Sequence, residues 1–96
     1  MERLARYTVE LRLPEAGWQE LQRATARARQ ATEQLRDEGA QVRFLRSIFV
    51  PEDDACFFLY EGPSAQSVRA AAARAKLGVV RVDPALQLDP EEEEAP

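Results

Sequence analysis

Two apolar runs, residues 42–50 and 55–61, flank the segment Pro51-Glu52-Asp53-Asp54. A proline followed by three carboxylates between apolar runs is turn chemistry, so the pair reads as a hairpin. Neither run alternates cleanly. Strict period-two geometry puts Val42, Phe44, Ile48 and Val50 on one side of the first strand, with Leu45 and Phe49 on the other. In the second strand Phe57 and Leu59 oppose Cys56, Phe58 and Tyr60. Both faces of the hairpin are therefore apolar, whereas a sheet with one wet face alternates apolar and polar positions. Each face needs a cover.

Residues 5–13 alternate more regularly. Tyr7, Val9, Leu11 and Leu13 lie on one side, Thr8, Glu10 and Arg12 on the other, which predicts a half-buried strand ended by Pro14. Over residues 18–38 the spacing changes to three and four. Trp18, Leu21, Thr25, Ala28, Thr32 and Leu35 form one stripe, widened by Ala24 and Ala31, and Gly39 stops the helix. After the hairpin, Gly62-Pro63-Ser64 is a turn with Ser64 as N-cap of a second helix over 65–76. Its stripe is Val68, Ala71, Ala72 and Ala75, with Leu77 beyond and Gly78 as terminator. Residues 79–82 are a last β-branched strand, which Asp83-Pro84 breaks. Leu86 and Leu88 extend as an arm.

The order strand, helix, strand, strand, helix, strand is the split β-α-β pattern. The expected fold is α+β and ferredoxin-like, a βαββαβ chain with an antiparallel four-stranded sheet and two helices on one face. The other face stays open in a monomer. With Leu45 and Phe49 assigned to it, stacking of two sheets into a dimeric α+β barrel is the physical answer.

Composition narrows the function classes. Ninety-six residues make one domain, here residues 1–88, followed by the segment 89–96. Five of the seventeen acidic residues, Asp89 and Glu91 to Glu94, fall in that segment, so the net charge of −4 describes a near-neutral body and an acidic tail. The tail is expected to be disordered; a basic partner for it is the alternative. No apolar run approaches the ~20 residues of a membrane span, and the N-terminus has no signal-peptide stretch. One cysteine excludes an internal disulfide framework, which makes a cytoplasmic setting the default. The arginines of the first helix are interrupted by Glu20, Glu33, Asp37 and Glu38 without interleaved aromatics, so nucleic-acid binding is not expected.

The run Val42-Arg43-Phe44-Leu45-Arg46-Ser47-Ile48-Phe49-Val50, then Asp53-Asp54 and Cys56-Phe57-Phe58-Leu59-Tyr60-Glu61-Gly62-Pro63-Ser64, resembles a bacterial domain-of-unknown-function family. Some of its members are described as nickel-binding. Arg6-Tyr7-Thr8-Val9-Glu10 and Arg81-Val82 fit the same pattern, so the resemblance covers nearly all of the chain but the tail. It implies a ferredoxin-like dimer forming an α+β barrel. Members often carry a histidine just before the serine of the second strand, where this chain has Arg46, and another near Ala71 in the second helix. This chain has no histidine at all. Nickel favours imidazole among protein ligands, so metal binding is not carried over and no cofactor is expected.

Four residues remain as candidates for a ligand site: Arg46, Tyr60, Cys56 and Glu61. Arg46, on the face of Phe44 and Ile48, either pairs with Glu10 or Glu61 or binds an anionic or carbonyl group in a cavity, with Tyr60 donating a hydrogen bond. Cys56 is either a small buried hydrophobe or a nucleophile, which without histidine lacks the usual base. Glu52, Asp53 and Asp54 lack the glycine and alternating oxygens of a calcium loop. No phosphate loop, triad or zinc pattern occurs. The reading is a small dimeric protein of unassigned activity, a ligand-binding or protein-interaction module. The alternatives are a cofactor-independent oxygenase or isomerase with its site in the barrel cavity, and a nickel-binding protein.

Overall fold

The computed structural model describes residues 4–12, 17–53 and 55–85. The chain runs β1 (Ala5–Leu11), α1 (Trp18–Asp37), β2 (Arg43–Val50), a 3-10 turn (Pro51–Asp53), β3 (Ala55–Gly62), α2 (Ala65–Arg74) and β4 (Val79–Pro84). The four strands form one antiparallel sheet in the order β2-β3-β1-β4. Both helices cover one face, as the pattern predicted. Leu13, Pro14, Asp54, Leu86, Leu88 and the acidic tail, each part of the sequence reading, lie outside the described residues.

Register shows what faces the helices. One row is Phe44, Tyr60 and Tyr7, and the next is Ser47, Phe58, Val9 and Val82. The third is Phe49, Cys56 and Leu11. Val9, Phe58 and Tyr60 are wholly buried there, with Leu21, Ala24, Ala28, Val68, Ala71 and Ala72 above them. Each large side chain buried in this way contributes about 1.5–3 kcal/mol. Phe44 sits edge-on to Phe58 and Tyr60, with ring centroids 5.3 and 5.4 Å apart, in the preferred T-shaped arrangement. The alanines of both stripes let the helices approach the sheet and each other closely.

The first strand of the hairpin departs from strict alternation. Phe44 pairs with Tyr60 but Arg46 pairs with Leu59, so Leu45 is the extra residue of a β-bulge. The bulge reverses the side-chain phase after Phe44. Phe49 therefore joins Phe44 on the helix face and packs against the core, while Ile48 and Val50 turn to the open face. The assignment of Phe49 to the open face, and of Arg46 to the face of Phe44, is corrected accordingly. Ser47, now inward, accepts a hydrogen bond from the Thr25 hydroxyl at 3.2 Å, which ties β2 to α1.

Trp18 also departs from expectation. It begins α1 but is 67% exposed, because the buried stripe starts at Leu21, one turn further in. At the other end, Gly39 takes φ +98° and donates to Arg36 O at 3.0 Å, while Ala40 donates to Leu35 O at 2.9 Å. These two bonds are a Schellman motif. Ser64 caps α2 as expected, its hydroxyl accepting from the Ser67 N–H at 3.1 Å. The far end of α2 is not closed by Gly78. Lys76 adopts φ +59°, with Lys76 and Leu77 donating to Ala73 O and Ala72 O, the same motif without glycine.

A left-handed conformation costs a residue with a Cβ about 1–2 kcal/mol, part of which glycine returns as unfolded-state entropy. Lys76→Gly is thus expected to stabilise the protein by about 0.5–1 kcal/mol, seen as a higher urea midpoint at unchanged slope. A lower midpoint would mean that the lysine side chain contributes more than its backbone costs.

β4 runs on through Asp83 and Pro84 instead of breaking there. β4 is an edge strand, where a missing N–H need not interrupt the ladder. Ala85 still donates to Arg6 O at 2.8 Å. Two polar links join the helices: Arg27 Nε, midway along α1, donates to Ala75 O at the end of α2 at 3.0 Å, and Arg74 grips the Glu38 carboxylate with two bonds of 3.0 and 3.1 Å. The Arg74 guanidinium holds that carboxyl below its ordinary range through the hydrogen bond and its charge.

Candidate functional site

The open face of the sheet is built from the alternate positions. Arg43, Glu61 and Arg6 form its first row; Arg46, Leu59, Thr8 and Asp83 the second; Ile48, Phe57, Glu10 and Arg81 the third. Leu59 and Phe57 hold its centre, both half-buried, beside Ile48, which is 44% exposed. Around them charges are matched. Arg81 Nε lies 3.1 Å from Glu10 and 2.9 Å from Asp83, and Arg6 lies 3.9 Å from Glu61. The result is an apolar centre on β2 and β3, flanked by ion pairs on β1 and β4.

The four candidate ligand residues do not converge. Arg46 and Glu61 lie on the open face, Cys56 and Tyr60 on the helix face, because positions 56 and 60 alternate with 59 and 61 along β3. Cys56 is 1% and Tyr60 0% exposed. Burial pushes the Cys56 thiol up to about 11, so it is a neutral packing group and not a nucleophile. Burial likewise raises the Tyr60 phenol, whose hydroxyl has no hydrogen-bond partner among the described residues. Of the two pairings weighed for Arg46, neither forms: Glu10 pairs with Arg81 and Glu61 with Arg6. Ile48 was missed as an open-face residue, since only the bulge reveals its direction.

A four-stranded antiparallel sheet with two helices on one face and an apolar centre on the other defines a small ferredoxin-like domain whose second face is unfinished. The chain belongs to the family described as Nickel responsive protein SCO4226-like, which its residues 7–84 match. A solved structure of similar fold is described as the crystal structure analysis of SCO4226 from Streptomyces coelicolor A3(2). It is 22% identical, with a TM-score of 0.68, and the likeness covers 88% of this chain and 100% of that one. At that identity the likeness speaks to the fold. No curated relative matches the chain significantly. No helix among the described residues is long and apolar enough to cross a membrane.

The family description raises nickel, and the donor set of this chain does not fit it. There is no histidine, and the one thiol is Cys56, enclosed in the core and held protonated. Among the described residues no three cysteine, aspartate or glutamate side chains come together. Nickel prefers imidazole and thiolate to scattered carboxylates. Calorimetric titration with nickel at neutral pH is therefore expected to give no stoichiometric isotherm tighter than about micromolar. A sub-micromolar, stoichiometric isotherm would require a site built from residues outside those described.

Proposed function

We propose that the protein is a self-associating interaction module, a homodimer formed by stacking the open faces of two sheets. The observation that carries this is the apolar centre of that face, Leu59, Phe57 and Ile48, which no element among the described residues covers. A second copy is the occupant that the charges favour. The open face carries four arginines and three carboxylates, a surplus of one positive charge per copy, so two copies meet with little net repulsion. Arg43 and Arg46 lie toward the β2 edge, whereas on the opposite side Glu10 and Asp83 are balanced by Arg6 and Arg81. A two-fold axis along the strands lays the basic edge of one copy over the neutral side of the other and keeps the two basic edges apart. Stacked sheets lie about 10 Å apart, which suits interdigitated leucine and phenylalanine side chains.

The enzyme alternative loses support because Cys56 and Tyr60 are packed in the core. The barrel cavity would instead be lined by apolar residues and by carboxylates already in ion pairs. A cytoplasmic setting, with Cys56 kept reduced, belongs to the same reading. Light scattering at tens of micromolar is the test. Twice the mass of the chain is expected; a monomer would overturn the proposal.

A further inference from the structure

We propose that the groove between α1 and the outer edge of β2 is a binding site for an organic phosphate monoester, a dianion carrying an apolar group. The groove is open to solvent on one side, has a volume of about 460 Å³, and is lined by Arg29, Arg36, Arg43, Glu33, Phe44 and Leu45, with Thr32. Arg29 and Arg36 are seven residues apart, two turns of α1, and so project from one helix face. Arg43 opens β2 on the facing wall. Three guanidiniums against the single Glu33 carboxylate leave a surplus of two positive charges, which a dianionic phosphate neutralises.

These arginines differ from the rest in two respects. Arg23, Arg74 and Arg81 each pair with a carboxylate, and Arg27 is spent on Ala75 O. Arg29, Arg36 and Arg43 pair with no carboxylate among the described residues. Unlike Arg12, Arg46 and Arg69, which also pair with no carboxylate there, they surround one concavity. Arg36 and Arg43 also line an adjoining groove with Leu4, Gln41 and Glu61, which lengthens the basic strip.

The wall beneath them suits the rest of such a ligand. Phe44 and Leu45 supply apolar surface at the point where the bulge takes Leu45 out of the ladder. β2 is an edge strand, so its outer backbone groups have no strand partner among the described residues and can donate to phosphate oxygens. The Thr32 hydroxyl is already committed to Ala28 O at 2.7 Å and adds no donor. The proposal goes beyond self-association: it uses none of Leu59, Phe57 or Ile48 and shares only Arg43, at the start of β2, with the open face.

Phenyl phosphate is the probe, followed in the full chain by two-dimensional NMR of the arginine Nε–Hε groups and the backbone amides. Saturable shifts are expected at Arg29, Arg36 and Arg43 and at the amides of Phe44 and Leu45. Inorganic phosphate should bind more weakly and phenol not at all. The double variant Arg36→Gln/Arg43→Gln, with its other amides unmoved, should weaken binding at least about tenfold. Absence of saturation up to about 10 mM, an affinity so weak that no specific site need exist, would overturn the proposal. So would shifts spread evenly over Arg23, Arg69 and Arg81. Inorganic phosphate binding as tightly as the ester would overturn the choice of an ester. Movement of the same arginine signals on removing residues 89–96, with no ester binding to the shortened chain, would give the groove to the protein's own acidic segment instead.

Discussion

Phe49→Asp is expected to unfold the protein or lower its stability by about 3 kcal/mol or more. Phe49 pairs with Cys56 across β2 and β3, on the face that the helices cover, and packs against the core cluster. Its ring is half-buried, so only part of the phenylalanine contribution is at stake, and the aspartate charge adds a desolvation cost. For a domain of this size about 1 kcal/mol shifts the melting temperature by roughly 4–8 °C, so a loss exceeding about 12 °C should be seen by circular dichroism. Wild type and variant must be compared at one protomer concentration, because association itself adds stability. A variant that melts with the wild type and only loses its partner would put Phe49 back on the open face and remove the bulge from the argument.

Leu59→Asp is expected to do the reverse, leaving the fold intact and separating the subunits. Leu59 lies between Arg46 and Thr8 in the middle of the open face, alternate to the buried Phe58 and Tyr60. In a two-fold interface the substitution is counted twice. Leu59 is already half-buried in the protomer, so losing the remaining burial, about 1 kcal/mol per leucine, raises the dissociation constant by roughly thirtyfold. Two aspartates brought together add repulsion. Light scattering should show a monomer at concentrations where the wild type is dimeric, with an unchanged far-ultraviolet spectrum. Phe57→Asp should behave alike, since Phe57 shares the centre. Variants that remain dimeric would move the interface elsewhere on the molecule.

The two substitutions differ in what each residue disclosed before the structure. On β3 the grouping of Leu59 with Phe57 was legible, because alternation is unbroken from Cys56 to Tyr60, but which of the two sets faces the helices came from burial. The grouping of Phe49 was not legible. Its phase depends on an extra residue at Leu45, and a bulge adds no signature to a run that is apolar on both faces. The same ambiguity misplaced Arg46 and Ile48. Trp18 was misassigned for a different reason: it obeys the helical spacing but stands at the first position of α1, before the buried stripe begins at Leu21, and spacing does not record where an element's cover ends.

By itself, the sequence determined the order of the elements, the stripe from Leu21 to Leu35, the Ser64 cap and the Gly39 stop. Each is a local matter of period or of one residue's backbone preference, and local free energies of that kind are written in adjacent positions. It also determined that histidine-based nickel chemistry is missing, since an absent residue type needs no fold to be absent. Tertiary structure decided which face each side chain of β2 joins, that Cys56 and Tyr60 are separated from Arg46 and Glu61, and that Lys76 and not Gly78 closes α2. It also brought Arg29, Arg36 and Arg43 around one groove, from a helix and a strand that sequence spacing alone does not place side by side. Those outcomes depend on register and on packing across residues distant in the chain, where a one-residue shift reverses every side chain at little local cost.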